Sequence, residues 1–229
     1  MKYYFFSVIC SQNLHNMTAL TATLKQQLFN LPMLPKLMAE FANYLELERQ
    51  KRNAFYEWIT PDMKAEFING EIIEHSPASE THKEIAAYLY HVANAYTDSH
   101  DLGIVRYEKA MINLTRNDYE PDVAFWKKAK ATKFDAAQTH YPAPDWVVEI
   151  LSDSTAKRDR GVKFDDYAAH GIKEYWIIDS KKKTVEQYLL EGESYELHRK
   201  LGIEDRIESK VIKDFCMHLL EFFDKEALV

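Results

Sequence analysis

The chain has 229 residues, 46% hydrophobic and 28% charged, a composition suited to a soluble globular protein with one sizeable core and a small extra piece. Its formal net charge of -7 argues against broad, non-specific coating of DNA but leaves room for local basic patches. No apolar run reaches membrane-spanning length, and the two cysteines, Cys10 and Cys216, match no metal spacing, so they read as free thiols in a reducing, cytoplasmic compartment.

Residues 1 to about 32 lack firm periodicity. The opening stretch pairs one lysine with a short apolar run and has no small-x-small cleavage site, so it reads as a loosely packed leader, with Met17 as an alternative start. Leu34–Trp58 carries an apolar stripe of Leu34, Leu37, Met38, Phe41, Leu45 and Leu47 opposite a charged face, as a helix would. Such a helix would cover a sheet or pair with a second subunit. Thr60-Pro61-Asp62 then breaks the chain. The expected division is an N-terminal extension over 1–59 and a main domain over 60–229.

The main domain opens with a hairpin over 66–74, turning at Asn69-Gly70, residues that tolerate the positive φ of a two-residue turn. Ser79 is placed to cap a helix over 80–98, with His82 in its first turn. Residues 104–114 read as one long strand. Tyr119-Glu120-Pro121-Asp122 leads into a short apolar strand from Val123, and a basic polar loop spans 127–140. Val147, Val148, Ile150 and Leu151 frame Glu149 in a strand that suits burial on both faces. A helix over 156–169 stops at His170-Gly171, and strands follow over 174–179 and 184–190. Short strands are expected over 193–213 and an amphipathic helix over 219–228. The sum is an α/β fold, a mixed central sheet flanked by helices.

Two carboxylates stand out. A charged group inside an apolar strand is costly unless something binds it. Asp122 and Glu149 each sit beside such a strand, and if the two strands are neighbours the acids meet over one cation. A hard cation such as Mg²⁺ takes one or two carboxylates and keeps its waters. Lys163 lies on the helix that follows the Glu149 strand and shares a face with Asp159, Tyr167 and His170. Read from helix spacing alone, Asp159–Lys163 is an exposed i,i+4 pair. Lys157, Arg158, Arg160 and the lysines of the 127–140 loop are candidate phosphate contacts or a solvated surface. There is no glycine-rich phosphate loop, GxSxG elbow or HExxH.

Taken in order, Phe67-Ile68-Asn69-Gly70-Glu71, Ser76-Pro77, His82, Pro121-Asp122-Val123, Pro144 to Ser152, Lys163, Tyr167 and Gly171 to Asp179 resemble the Uma-type restriction endonuclease family, grouped with the PD-(D/E)xK nuclease superfamily. The resemblance spans roughly residues 60 to 190. It implies a restriction endonuclease-like core and Mg²⁺-dependent phosphodiester hydrolysis in DNA, with Mn²⁺ able to substitute. Asp122 and Glu149 match the two acids and, with the Ile150 carbonyl, would hold the metal. The chain departs from the plain pattern where Leu151 stands two residues past Glu149, so the lysine role falls to Lys163. Glu71 matches a further acid of the site, and His82 matches a family position, which makes it a catalytic candidate beside the plainer reading of a polar contact near a helix N-terminus. A homodimer suits cutting both strands of a duplex. Rival readings are a catalytically silent binding module of the same fold and hydrolysis of another phosphoester.

Overall fold

The computed structural model describes residues 23–224. The expected leader falls largely on 1–22, and Met17 and Cys10 with it lie outside the described residues. The chain divides into a first unit up to Lys51 and a second from Arg52. Helix α1 (Leu34–Trp58) runs across that division. In the first unit Met38, Phe41 and Leu45 of the expected apolar stripe are exposed. In the second, Phe55 is buried and packs tilted against Phe67 with ring centroids 5.8 Å apart, while Arg52 forks onto Asp118 with two nitrogen–oxygen distances of 2.6 Å.

The second unit continues in chain order with β1 (Ala65–Ile68), β2 (Glu71–Glu74), α2 (Glu80–Ser99), β3 (Gly103–Tyr107), β4 (Met111–Asn113), β5 (Asp118–Tyr119), β6 (Val123–Lys127), α3 (Lys128–Ala131), β7 (His140–Tyr141) and β8 (Trp146–Ile150). Then come α4 (Ala156–Asp159), α5 (Val162–Ala169), β9 (Glu174–Asp179), β10 (Thr184–Glu191), β11 (Ser194–Gly202), β12 (Arg206–Glu208), β13 (Cys216–His218) and α6 (Leu220–Phe223).

Local chemistry sets several of these boundaries. Asn69 and Gly70 turn the β1–β2 hairpin with φ of 51° and 84°, the left-handed values a tight two-residue turn requires. Ser79 Oγ accepts from the His82 amide at 3.3 Å and starts α2. The single strand expected over 104–114 is instead two. β3 belongs to a six-stranded sheet and β4 to a five-stranded one, and the chain crosses between them at Glu108 and Lys109, both with positive φ. The helix expected over 156–169 is also split. Gly161 sits at the break, where a Cβ would meet the Lys157 carbonyl oxygen at 2.8 Å. The loop over 127–140 holds the short α3. Of the helix expected over 219–228, α6 covers the part that falls on described residues.

The six-stranded sheet runs β11-β10-β9-β8-β6-β3 and is mixed: β8 and β9 are parallel and the other pairs antiparallel. A parallel pair needs a crossover, and α4 and α5 supply it. Alternation along β8 sends Val148 and Ile150 into a core shared with α2 and the C-terminal segment. Val147 faces the other way, into a core with Tyr167 and Ala168 of α5 and Ile112 and Tyr119 of the smaller sheet. Glu149 has the parity of Val147. The fold therefore aims it beneath α5. No helix among the described residues is long and apolar enough to cross a membrane.

Candidate active site

β6 and β8 are antiparallel neighbours with Val123 opposite Val148. One step further in that register, Asp122 faces Glu149. β8 lies inside the sheet, between β9 and β6, so Glu149 is not an edge-strand acid pointing to solvent. Glu149 is 3% exposed and Asp122 4%. Buried carboxylates require partners, and both have them. Asp122 Oδ2 accepts from the Ile150 amide at 2.8 Å; its Oδ1 lies 3.0 Å from His82 Nε2 and 3.2 Å from Lys64 Nζ. Glu149 Oε1 accepts from Lys163 Nζ at 2.9 Å and from the Tyr167 hydroxyl at 2.7 Å.

Lys163 enters on the first turn of α5 and is 1% exposed. Its ammonium is shared among three acids: Glu66 Oε1 at 2.8 Å, Glu149 Oε1 at 2.9 Å and Asp159 Oδ1 at 3.6 Å. The Asp159–Lys163 pair thus exists as helix spacing suggests, but inside the protein and not on its surface. Glu66 also accepts from the Glu120 amide at 3.0 Å. His75 Nε2 sits 3.1 Å from Glu66 Oε2, an electrostatic contact without the alignment of a hydrogen bond.

The protonation pattern follows from this crowding. Burial works against the Asp122 charge, yet the His82 hydrogen bond, Lys64 and the Ile150 amide outweigh it and hold the carboxyl well below its usual range. Burial likewise opposes the Glu66 charge, but Lys163 and His75 bring it down to about 2. Glu149 goes the other way: burial pushes it up, Lys163 pulls against that, and Asp159, Asp122 and Glu66 add to the push. Lys163 loses hydration but gains Glu149, Glu66 and Asp159, so its ammonium is held charged far above the ordinary lysine range.

Asp122, Glu149, Ile150, Lys163 and His82 therefore converge, all lining one cleft of about 790 Å³. Glu71 does not join them. It opens β2, the outer strand of the hairpin, and is exposed; the hairpin acid that enters the cluster is Glu66, on the inner strand β1. The two are on different strands of one hairpin because the turn between them reverses the chain. Lys64, His75 and Glu120, which line the same cleft, and Glu66, which pairs with Lys163, were passed over by sequence reasoning. For Glu66 the signal was present: an acid between Ala65 and Phe67-Ile68 is the same apolar framing that singles out Glu149.

A hard divalent cation fits this donor set. Five acids are buried here, Glu66, Glu120, Asp122, Glu149 and Asp159, against the ammonium groups of Lys64 and Lys163. Glu120 Oε2 and both Asp159 carboxylate oxygens have no hydrogen-bond partner, and burial pushes Glu120 up to about 7 and raises Asp159, so the cluster holds acids whose charged form a bound cation would favour. Among the described residues no three His, Cys, Asp or Glu side chains are placed to hold a metal ion together. Two carboxylates and a carbonyl with water filling the remainder is the Mg²⁺ pattern and not the closed N/S cage of structural zinc.

The fold has a counterpart among solved structures. The crystal structure of "a putative nuclease belonging to DUF820" from Anabaena variabilis ATCC 29413 superposes with a TM-score of 0.62, covering 74% of this chain and 94% of that one at 16% identity. Residues 52–219 match the model of the Uma2 family, described as "Putative restriction endonuclease", and the chain belongs to that family. Curated relatives include "Uncharacterized protein slr1290" of Synechocystis sp., 30% identical over 183 residues and covering 78% of this chain and 87% of its own length. "Uncharacterized protein sll1609" of the same organism is 29% identical over 181 residues, with 75% and 93% covered.

Proposed function

We propose that this chain is a Mg²⁺-dependent endonuclease that hydrolyses phosphodiester bonds in DNA. The observation that carries the reading is the meeting of Asp122 and Glu149, from adjacent strands, with Lys163 from the crossover helix, around one cleft. Asp122, Glu149 and the Ile150 carbonyl would hold Mg²⁺, or Mn²⁺ in its place. A cation held there supplies Lewis acidity toward a phosphate oxygen and acidifies water.

The chain's own groups do the rest. His82 and the Ile150 amide fix the Asp122 carboxylate, and Tyr167 and Lys163 fix Glu149, so neither acid reorganises when a substrate arrives. Lys163 is fully charged and locked, which suits it to stabilise negative charge building on the phosphate and not to abstract a proton. Two copies of the chain would present two such clefts to the two strands of a duplex.

The test is a plasmid-cleavage assay. Wild-type chain with Mg²⁺ or Mn²⁺ is expected to nick or linearise supercoiled DNA, and EDTA, Glu149→Ala and Lys163→Met each to stop it. Intact plasmid under every metal condition, or cleavage undiminished in Glu149→Ala, would remove the reading.

A further inference from the structure

Most cations at the cleft are already committed. Lys64 sits on Asp122 at 3.2 Å, Lys83 on Glu80 at 3.3 Å, and Lys181 on Asp153 at 2.6 Å. Lys163 is shared by three acids, and Lys109 donates to the Met63 carbonyl. Arg158 differs. It lines the same cleft, its Nε is buried with no acceptor, and among the described residues no carboxylate pairs with it. Arg158 is half-buried, and of its guanidinium nitrogens only Nε is enclosed without an acceptor. A guanidinium presents five N–H donors in a rigid fork that matches a phosphate, and a buried donor without an acceptor is rarely left so.

We infer that Arg158 is the phosphate clamp of this cleft, taking a backbone phosphate of the nucleic-acid strand beside the Asp122–Glu149 pair; the inference rests on the nuclease reading. Its neighbours in sequence carry the same charge elsewhere. Lys157 is exposed and does not line the cleft. Arg160 is paired with Glu186. Position, not charge, thus separates the three.

Those neighbours make the controls. Binding of a fluorescein-labelled 20-base-pair duplex to the full chain is measured by anisotropy across salt concentrations, with Ca²⁺ replacing Mg²⁺. Arg158→Gln is expected to weaken binding by about tenfold and to lower the salt slope by about one phosphate contact. Lys157→Gln and Arg160→Gln, with the same loss of net charge, should weaken binding less than about twofold and leave the slope alone. Arg158→Lys should recover the slope but only part of the affinity, because the charge returns without the fork. A duplex with one methylphosphonate at the clamped position should bind wild type and Arg158→Gln equally. If Arg158→Gln binds no worse than Lys157→Gln, or Arg158→Lys restores everything, the clamp is wrong while plasmid cleavage still stands. If the wild type binds no duplex, clamp and nuclease reading fall together.

Discussion

Glu149 in β8 and Glu174 in β9 are acids buried in adjacent parallel strands of one sheet, and their surroundings treat them in opposite ways. Glu174 is 0% exposed and accepts five hydrogen bonds, all from neutral groups. Trp176 Nε1 and Gln187 Nε2 reach its Oε1, each at 2.6 Å; Ser209 Oγ and the Lys210 and Val211 amides reach its Oε2 at 2.7, 2.9 and 3.0 Å. Oε1 is spent within the sheet, and Oε2 ties the 209–211 segment to it. At Glu149 both donors, Lys163 and Tyr167, crowd onto Oε1, and among the described residues none reaches Oε2. Burial is equal, but one acid is used up by the fold and the other keeps an oxygen for a guest. Between these two acids depth does not tell which belongs to the cleft; the unspent oxygen does.

The contrast breaks most visibly under truncation. Glu149→Ala is expected to cut plasmid cleavage at least about a thousandfold, the equivalent of ~4 kcal/mol of transition-state stabilisation, while the variant stays folded. Glu174→Ala should do the reverse. It leaves buried donors without an acceptor and should cost about 3–5 kcal/mol in denaturant unfolding, with activity per folded molecule retained. A Glu174→Ala chain that is stable but inactive would erase the distinction.

Acid titration sharpens the same point within the cluster. Glu66 has a folded pKa of about 2 against an ordinary 4.5. A depressed acid stabilises the fold above its unfolded pKa, and that contribution disappears as pH falls from about 4.5 toward 2. Up to about 3 kcal/mol should be lost across that window in the wild type. Glu66→Gln should be less stable at neutral pH and should show a flatter acid limb in urea titrations at stepped pH. Parallel limbs for the two proteins would mean Glu66 is not the group that titrates. Smallest of all, Tyr167→Phe removes one donor from Glu149 and leaves Lys163 in place. It should cost about 1–2 kcal/mol of stability by thermal melting and reduce cleavage modestly. A full loss of activity would give the hydroxyl a direct catalytic part that this geometry does not provide.

Much of this arrangement was legible from residue order because local chemistry dictated it. Asn69-Gly70 specifies its turn, Ser79 its cap, and an acid framed by valines and isoleucines its own anomaly. Two short apolar runs, each flanked by an acid, marked β6 and β8 as strands, but that the two are neighbours came only with the structure. What stayed hidden depends on which sheet a strand joins. Glu108 and Lys109 take positive φ without the glycine or asparagine that would announce it, since the chain there leaves one sheet for the other. Glu66 and Glu71 look alike in a hairpin pattern; only the pairing of β1 with β5 makes β1 the inner strand and brings Glu66 to Lys163. Asp159 passed for a surface partner because a helix wheel cannot tell a wet face from one packed beneath a second sheet.

The most direct test is calorimetric titration of Mn²⁺ into the wild-type chain, Asp122→Asn and Glu149→Gln. The account predicts a bound ion in the wild type and none in either variant, with all three proteins folded. Equal binding in all three, or none in the wild type, would contradict it.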